Sequence, residues 1–201
     1  MGVFYKVFLM IYIIIYILIM FIYNINAFRK TYDIDPRVVT KNDKVMYKFE
    51  RYRDLIFVFV FVNIIVFCIF PKVYFILVPI TYLELEILKM TGIFLLIVSL
   101  ILTRVSQIQL REAWRIGIDR SETKGILITT GIYSRSRNPI ALGMLLGIIG
   151  LFLVIPNITT FAMIFLVHLI FSVRILLEEE HLLNLHGEEY KKYLRRTRKW
   201  I

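Results

Sequence analysis

Five apolar runs alternate with polar segments along the chain, near residues 3–23, 54–70, 88–103, 140–155 and 158–176. A helix rises about 1.5 Å per residue, so roughly 20 apolar residues cross a bilayer. The pattern therefore predicts an all-α integral membrane protein with about five transmembrane helices. A further apolar stretch, residues 73–83, is too short to cross and contains Pro79. We expect it to form an interfacial or partly inserted segment between the second and third spans.

The last two apolar runs are joined only by the polar linker "PNITT", residues 156–160. A connection this short predicts a tight antiparallel helical hairpin that returns the chain to the side on which the fourth span begins. Two polar stretches then become neighbours at that side. They are "GIYSRSRNPIALG", residues 131–143, and "SVRILLEEEHLLNLHGEEY", residues 172–190.

Composition and charge agree with this topology. Of the 201 residues, 59% are hydrophobic, and the mean hydropathy of +0.73 excludes a soluble domain of this size. Twenty-two of the 25 Lys and Arg residues follow the first, third and fifth runs. The positive-inside rule therefore predicts an N-terminus outside and a cytoplasmic C-terminus. Basic segments beside a bilayer bind anionic lipid, so we expect the lipid bilayer as a partner and no nucleic acid. The oligomeric state does not follow from the sequence.

Charged residues share one predicted helix face at the end of the fifth run. Arg174, Glu178 and His181 recur at i, i+4 and i+7. In one interpretation Arg174 extends to the interface and pairs with Glu178, which only anchors the helix. In the other, the pair binds a ligand that carries both charge signs. Successive helical residues are about 100° apart, so Glu178 and Glu179 are candidates, whereas Glu180 is expected in solvent.

The polar segment before the fourth span contains helix-start signals. Asn138 is a favourable N-cap, and Pro139 fits the first turn of a helix. The N–H groups of that turn and the positive end of the helix would favour an anionic group. Gly143, Gly147 and Gly150 follow within the span, and this spacing predicts close helix packing.

These residues resemble a family signature. The signature is a Leu-Val step, Gly-x-Tyr, Arg-His-Pro-x-Tyr-x-Gly and, after a helical hairpin, an Arg, a Glu pair and Gly-x-x-Tyr-x-x-Tyr. The corresponding elements here are Leu127-Ile128, "GIY" ending at Tyr133, "RNPIALG" from Arg137, Arg174, Glu178-Glu179 and "GEEYKKY" from Gly187. Over roughly residues 114–196 the chain is similar to the membrane-embedded S-adenosylmethionine-dependent methyltransferases related to isoprenylcysteine carboxyl methyltransferase and, more distantly, to phospholipid N-methyltransferases.

The resemblance implies a cytoplasmic pocket for S-adenosylmethionine and no metal. Arg174 would face the acceptor carboxylate. The implied cofactor-binding residues are Gly125, Ile126, Leu127, Ile128, Tyr133, Asn138, Pro139, Ile140, Ala141, Glu178 and Glu179. Two of them depart from the family pattern, because Asn138 replaces a histidine and Ala141 replaces a tyrosine.

The predicted organisation is a set of N-terminal transmembrane helices, residues 1–103, followed by a cofactor-binding catalytic region, residues 104–201. In this region the stretch "GEEYKKYLRRTRKWI" from Gly187 is expected to form a cytoplasmic interfacial helix that covers the site.

The resemblance implies methyl transfer to a lipophilic acceptor, in the first place a carboxylate such as that of prenylcysteine. A phospholipid or a small-molecule amine or thiol is an alternative acceptor. An NADPH-dependent membrane reductase has a similar C-terminal region and is a second alternative. A non-catalytic protein that kept the scaffold is the third, and Ala141 is the main argument for it.

Overall fold

In the computed structural model the described residues are 2–33, 35, 44–110, 113–114 and 126–201. Nearly all of them lie in helices or in the short turns between helices, which confirms the predicted all-α class. The helices are α1 (Val3–Ile17), α2 (Asn24–Tyr32), α3 (Lys44–Ile69), α4 (Pro71–Tyr74), α5 (Glu86–Leu110), α6 (Pro139–Val154), α7 (Ile158–His186) and α8 (Glu188–Arg196). A π-helical turn, Leu18–Tyr23, joins α1 to α2 without a break.

Four helices are long and apolar enough to cross a membrane: Val3–Thr31, Tyr47–Ile69, Glu86–Leu110 and Ile158–His186. Large apolar side chains on them point outward, for example Phe94, Phe165 and Leu176, which are each more than 60% exposed. Apolar surface of this extent is expected to face lipid. The fourth predicted span, α6, has 16 residues and is therefore about 24 Å long, less than the roughly 30 Å of a hydrocarbon core. Its crossing remains a prediction.

Three helices extend well beyond the apolar runs that predicted them. α3 begins at Lys44 rather than near residue 54, α5 ends at Leu110 rather than near 103, and α7 ends at His186 rather than near 176. The bilayer limits the length of an apolar run but not the length of a helix. Lys, Arg, Glu, Gln and Leu are good helix formers, so these helices continue into the polar zone. There α5 and α7 supply walls for the cavity described below.

Glycines bring α5 and α6 into close contact, as their spacing predicted. A Cβ atom on Gly150 would lie 2.8 Å from the carbonyl oxygen of Gly92, and one on Gly143 would lie 2.4 Å from Oγ1 of Thr103. Only hydrogen fits at these points. The close contact fixes the position of α6, whose first turn carries several candidate site residues.

The turn between α6 and α7 is fixed by a capping box. Oδ1 of Asn157 accepts a hydrogen bond from N of Thr160 (2.8 Å), and Oγ1 of Thr160 accepts one from N of Asn157 (3.3 Å). The segment between α4 and α5, which contains the short 3₁₀ helices Phe75–Leu77 and Thr81–Leu83, pairs with this turn through the bond from N of Ile80 to O of Pro156 (2.9 Å). The segment 73–83 therefore lies at the end of the bundle away from the polar stretch 131–143. Its place at a membrane interface remains a prediction.

The predicted division at residue 103/104 falls inside α5, which runs through it as one helix. The division remains a prediction about function.

Candidate functional site

A cavity lies where the start of α6, the polar end of α7 and the inner face of α8 meet. Its volume is about 150 Å³, enough for several waters or for part of an organic ligand. The predicted site residues along its wall are Ile126, Leu127, Ile128, Tyr133, Asn138, Pro139, Ile140, Ala141, Arg174, Glu178 and Glu179. The structure thus brings together all predicted site residues that it describes. Gly125 lies outside the described residues, as do six of the basic residues in the charge asymmetry: Arg37, Lys41, Arg111, Arg115, Arg120 and Lys124.

Opposite charges lie one helical turn apart in the wall that α7 forms. Nε of Arg174 is 3.8 Å from Oε2 of Glu178, and the two side chains are 21% and 45% exposed. An ion pair this long and this accessible to water is weak, so either group can exchange its partner for a ligand. Glu180 is exposed and lies outside the cavity wall, as does His181. This placement agrees with the predicted solvation of Glu180.

Glu179 also faces the cavity, but it has a strong partner. Its Oε1 accepts a hydrogen bond from Nε of Arg137 (3.0 Å), and Nη2 of the same guanidinium lies 2.9 Å from this oxygen in an ion pair. The two side chains are 13% and 22% exposed. A charge-assisted pair with this geometry is stronger than the looser pair beside it. Of the two candidate acids, Glu178 is therefore the one more available to a ligand.

Asn138 occupies the N-cap position of α6, as predicted. Among the described residues its side chain accepts no capping hydrogen bond, and its Nδ2 donates to the carbonyl oxygen of Lys199 (3.1 Å). The side chain therefore joins the start of α6 to the backbone near the C-terminus. The N–H groups of Ile140 and Ala141, in the first turn, have no carbonyl partner within the helix and lie at the cavity wall.

Three buried tyrosines form the aromatic part of the wall. The hydroxyl of Tyr193 donates to the carbonyl oxygen of Tyr133 (2.6 Å), and the hydroxyl of Tyr133 donates to the carbonyl oxygen of Ser106 (3.3 Å). Burial raises the pKa of Tyr193 to about 12, and it also raises the pKa of Tyr133 and of Tyr190. All three phenols are therefore neutral near pH 7 and are poor proton acceptors.

Gly131 holds the turn that carries Tyr133. Its φ of +62° is a left-handed conformation, and a Cβ there would lie 2.5 Å from Oε1 of Gln109. The same Oε1 accepts a hydrogen bond from N of Ile132 (2.7 Å). Glycine is required here by both conformation and space, and the contact ties the turn to the end of α5.

Further residues line the cavity that were not predicted as site residues: Leu110, Ala113, Trp114, Arg137, Phe171, Ile175, Leu182, Tyr190 and Tyr193. Helical spacing from Arg174 and Glu178 would have found Phe171, Ile175 and Leu182, since they share that face of α7. The sequence gives no comparable signal for Trp114, because it lies beyond the end of α5 and outside any helical repeat.

The fold and the cavity define a class, namely an integral membrane protein of bundled helices with a cavity lined by charged and aromatic residues at one end. Residues 87–189 match the family model described as phospholipid methyltransferase. The chain belongs to this family, which makes it a membrane methyltransferase and confirms the resemblance drawn from its motifs. No protein with a curated description matches the chain. The matched residues include α5, α6, α7 and the first residues of α8, and so most of the cavity wall.

Proposed function

We propose that the protein transfers a methyl group from S-adenosylmethionine to the carboxylate of a lipophilic acceptor, such as a prenylcysteine. The observation that carries this proposal is the loose pair of Arg174 and Glu178 at the wall of one cavity. The pair offers a cation and an anion to two different ligands without a large cost for separating them.

The residues present fit S-adenosylmethionine, which carries a carboxylate, an ammonium group and a sulfonium cation. The first turn of α6 presents N–H groups and the positive helix end to a carboxylate. Glu178 would hold the ammonium group. The faces of Tyr133 and Tyr190 would hold the sulfonium by cation–π attraction. When bound, the cofactor would supply an electrophilic methyl group.

Arg174 is the proposed ligand of the acceptor carboxylate. Its guanidinium can hold a carboxylate through two parallel hydrogen bonds, which fixes the direction of the attacking oxygen. Phe171 and Ile175, on the same side of α7, are buried and exclude water from that region. Most of the acceleration would come from this positioning and desolvation, because the nucleophile is already ionised.

The cavity favours a carboxylate over an amine acceptor. An amine must lose a proton to something in the site. The cavity-lining residues that the structure describes include no histidine, and the tyrosines have raised pKa values. Glu179 is held by Arg137, so that among the described residues of the wall Glu178 is left for this purpose. A carboxylate acceptor needs no such group.

Transfer of labelled methyl groups from S-adenosylmethionine tests the proposal, with a prenylcysteine carboxylate and a phospholipid amine as competing acceptors. We expect transfer to the carboxylate. The Arg174→Ala variant should raise the KM for that acceptor by roughly 10- to 100-fold, the range for loss of a charge-assisted hydrogen bond. Cofactor affinity should stay within about twofold of the wild-type value, and Arg174→Lys should fall in between.

The exposed Arg195 of α8 supplies the matched control, and Arg195→Ala should leave both constants unchanged. Transfer to the amine alone, or an unchanged KM in Arg174→Ala, would contradict the assignment of a carboxylate acceptor to Arg174.

A further inference from the structure

Residues 197–201 follow α8, and we call them the C-terminal strap. They run along the start of α6 and then along α7. Thr197 is buried, and the carbonyl oxygen of Arg198 accepts a hydrogen bond from N of Arg137 (3.0 Å). The next carbonyl, of Lys199, is the acceptor for Asn138. The Trp200 ring then lies 6.1 Å, centroid to centroid, from that of His168 on α7. The strap is therefore bonded at successive residues rather than left free.

One side chain joins the strap to the walls that α6, α7 and α8 form. Nη1 of Arg137 donates to the carbonyl oxygens of Thr197 (2.5 Å) and Leu194 (3.3 Å), at the end of α8 and the start of the strap. Nε and Nη2 of the same guanidinium bind Glu179 of α7. The donors of one planar group thus connect the start of α6, α7 and α8. Lysine cannot reproduce this geometry, because its ammonium is a single point of charge.

We propose that Arg137 is a positioning residue, which through the C-terminal strap and Glu179 holds α8 over the cavity and so determines the affinity for the cofactor. The identity of the ligand in this inference rests on the proposed function. The ordering of the strap by Arg137 does not depend on that function. Tyr190 and Tyr193 face the cavity from α8. Their position depends on both ends of α8. At its N-terminal end Gly187 allows the turn from α7 but does not hold α8 in place. Arg137 supplies the restraint at the C-terminal end.

Two consequences separate this role from direct binding of a ligand. Arg137 has its donors occupied by protein acceptors, so its replacement should loosen α8 and the strap before any ligand is added. Residues 197–201 should matter for cofactor affinity even though none of them lines the cavity in the part of the chain that the structure describes.

The test combines amide hydrogen exchange of residues 188–201 with calorimetric binding of S-adenosylmethionine to detergent-purified protein. In Arg137→Lys we expect exchange at least tenfold faster in this segment and at least tenfold weaker binding. The exposed Arg135, two residues earlier in the same turn, gives the matched control. Arg135→Ala should change both quantities by less than twofold.

A truncated chain that ends at residue 196 completes the design. Arg137 is proposed to act largely through the strap, so the two changes should not be independent. In a truncated chain that also carries Arg137→Ala, binding should weaken by less than the product of the two separate effects. If Arg137→Ala does not fold, Arg137→Lys replaces it in this comparison, since lysine keeps the positive charge beside Glu179 but cannot bind that carboxylate and the strap carbonyls together.

Faster exchange with cofactor affinity within twofold of wild type would overturn the positioning role, and so would unchanged exchange. A folded wild-type protein that does not bind S-adenosylmethionine would instead refute the proposed function. In that case the exchange data alone would decide whether Arg137 orders the strap.

Discussion

At the scale of single residues, the Tyr193 hydroxyl connects two elements that are far apart in sequence. It lies on α8, is 4% exposed and donates to the carbonyl oxygen of Tyr133 in the turn before α6. The phenol can donate only while it is protonated. Its raised pKa therefore links the closure of the cavity wall to pH.

We predict that stability declines between about pH 10 and about pH 12, in part through Tyr193. An unfolded tyrosine loses its proton near pH 10, whereas the folded Tyr193 keeps it until about pH 12. In this window the unfolded state binds fewer protons, so unfolding becomes more favourable as the pH rises. Thermal unfolding between pH 7 and 11.5 should show a shallower decline for Tyr193→Phe than for wild type. An identical decline in both proteins would contradict the assignment.

The sequence predicted some residues of the cavity wall and missed others. The difference lies in whether the hydrogen-bond partner is a side chain or a backbone carbonyl. Arg174 and Glu178 were found because i, i+4 spacing places two side chains on one helix face. Asn138 was placed in the wall and at the N-cap, but its hydrogen bond to the strap was not predicted, and Arg137 was not chosen as a site residue. Their partners are the carbonyls of Thr197 and Lys199, about 60 positions away. Every residue has a carbonyl, so no pattern of residue types marks such an acceptor.

At the scale of helices, the packing of α5 against α6 determines where the cavity wall begins. The predicted small-residue contact is confirmed at Gly143 and Gly150, although the sequence did not show that Gly92 is the partner of Gly150. The apolar runs located every long helix but did not give the polar ends of α3, α5 and α7. Hydropathy reports the thickness of the bilayer, whereas the ends of these helices depend on local propensity and on partners in the polar zone.

Gly150→Ala should destabilise the protein more than Gly147→Ala on the same helix. The new Cβ at Gly150 would meet backbone, the oxygen of Gly92 at 2.8 Å, and the helices must separate. The cost should be about 1–3 kcal/mol, as for other overpacked sites. At Gly147 the nearest atom is Oγ of Ser99 at 2.6 Å, which can rotate away. Thermal unfolding in detergent compares the two variants, and equal losses would contradict this difference.

At the scale of the whole molecule, the basic residues predict how the bundle lies in the membrane. The polar ends of α3, α5 and α7 and the whole of α8 lie at the end of the bundle that contains the cavity. Described basic residues at this end include Arg53, Arg104, Arg137 and Arg196. If the positive-inside rule applies, the cavity opens toward the cytoplasm. The proposed cofactor would then enter from water, and the proposed lipophilic acceptor would enter from the bilayer.

We predict that the C-terminus is cytoplasmic and the N-terminus is outside. Single cysteines at Gly2 and Ile201, each in a Cys68→Ser background, report the two ends, and both positions are exposed. A membrane-impermeant maleimide should label Gly2→Cys in intact cells and should label Ile201→Cys only after permeabilisation. Labelling of Ile201→Cys in intact cells would contradict the orientation. If both positions are labelled in intact cells, both ends lie outside and the number of spans is even, as expected if α6 does not cross the membrane.

We predict that the cavity binds S-adenosylmethionine through Glu178. Calorimetric titration of the cofactor into wild-type protein, Glu178→Gln and Glu180→Gln tests it most directly. Glu180 is the matched control, since it lies two residues along α7 and is exposed. We predict saturable binding that is weakened at least tenfold in Glu178→Gln and unchanged in Glu180→Gln, as expected for a ligand ammonium that loses its carboxylate partner. Absence of binding to the folded wild-type protein, or equal affinity in all three proteins, would contradict the claim.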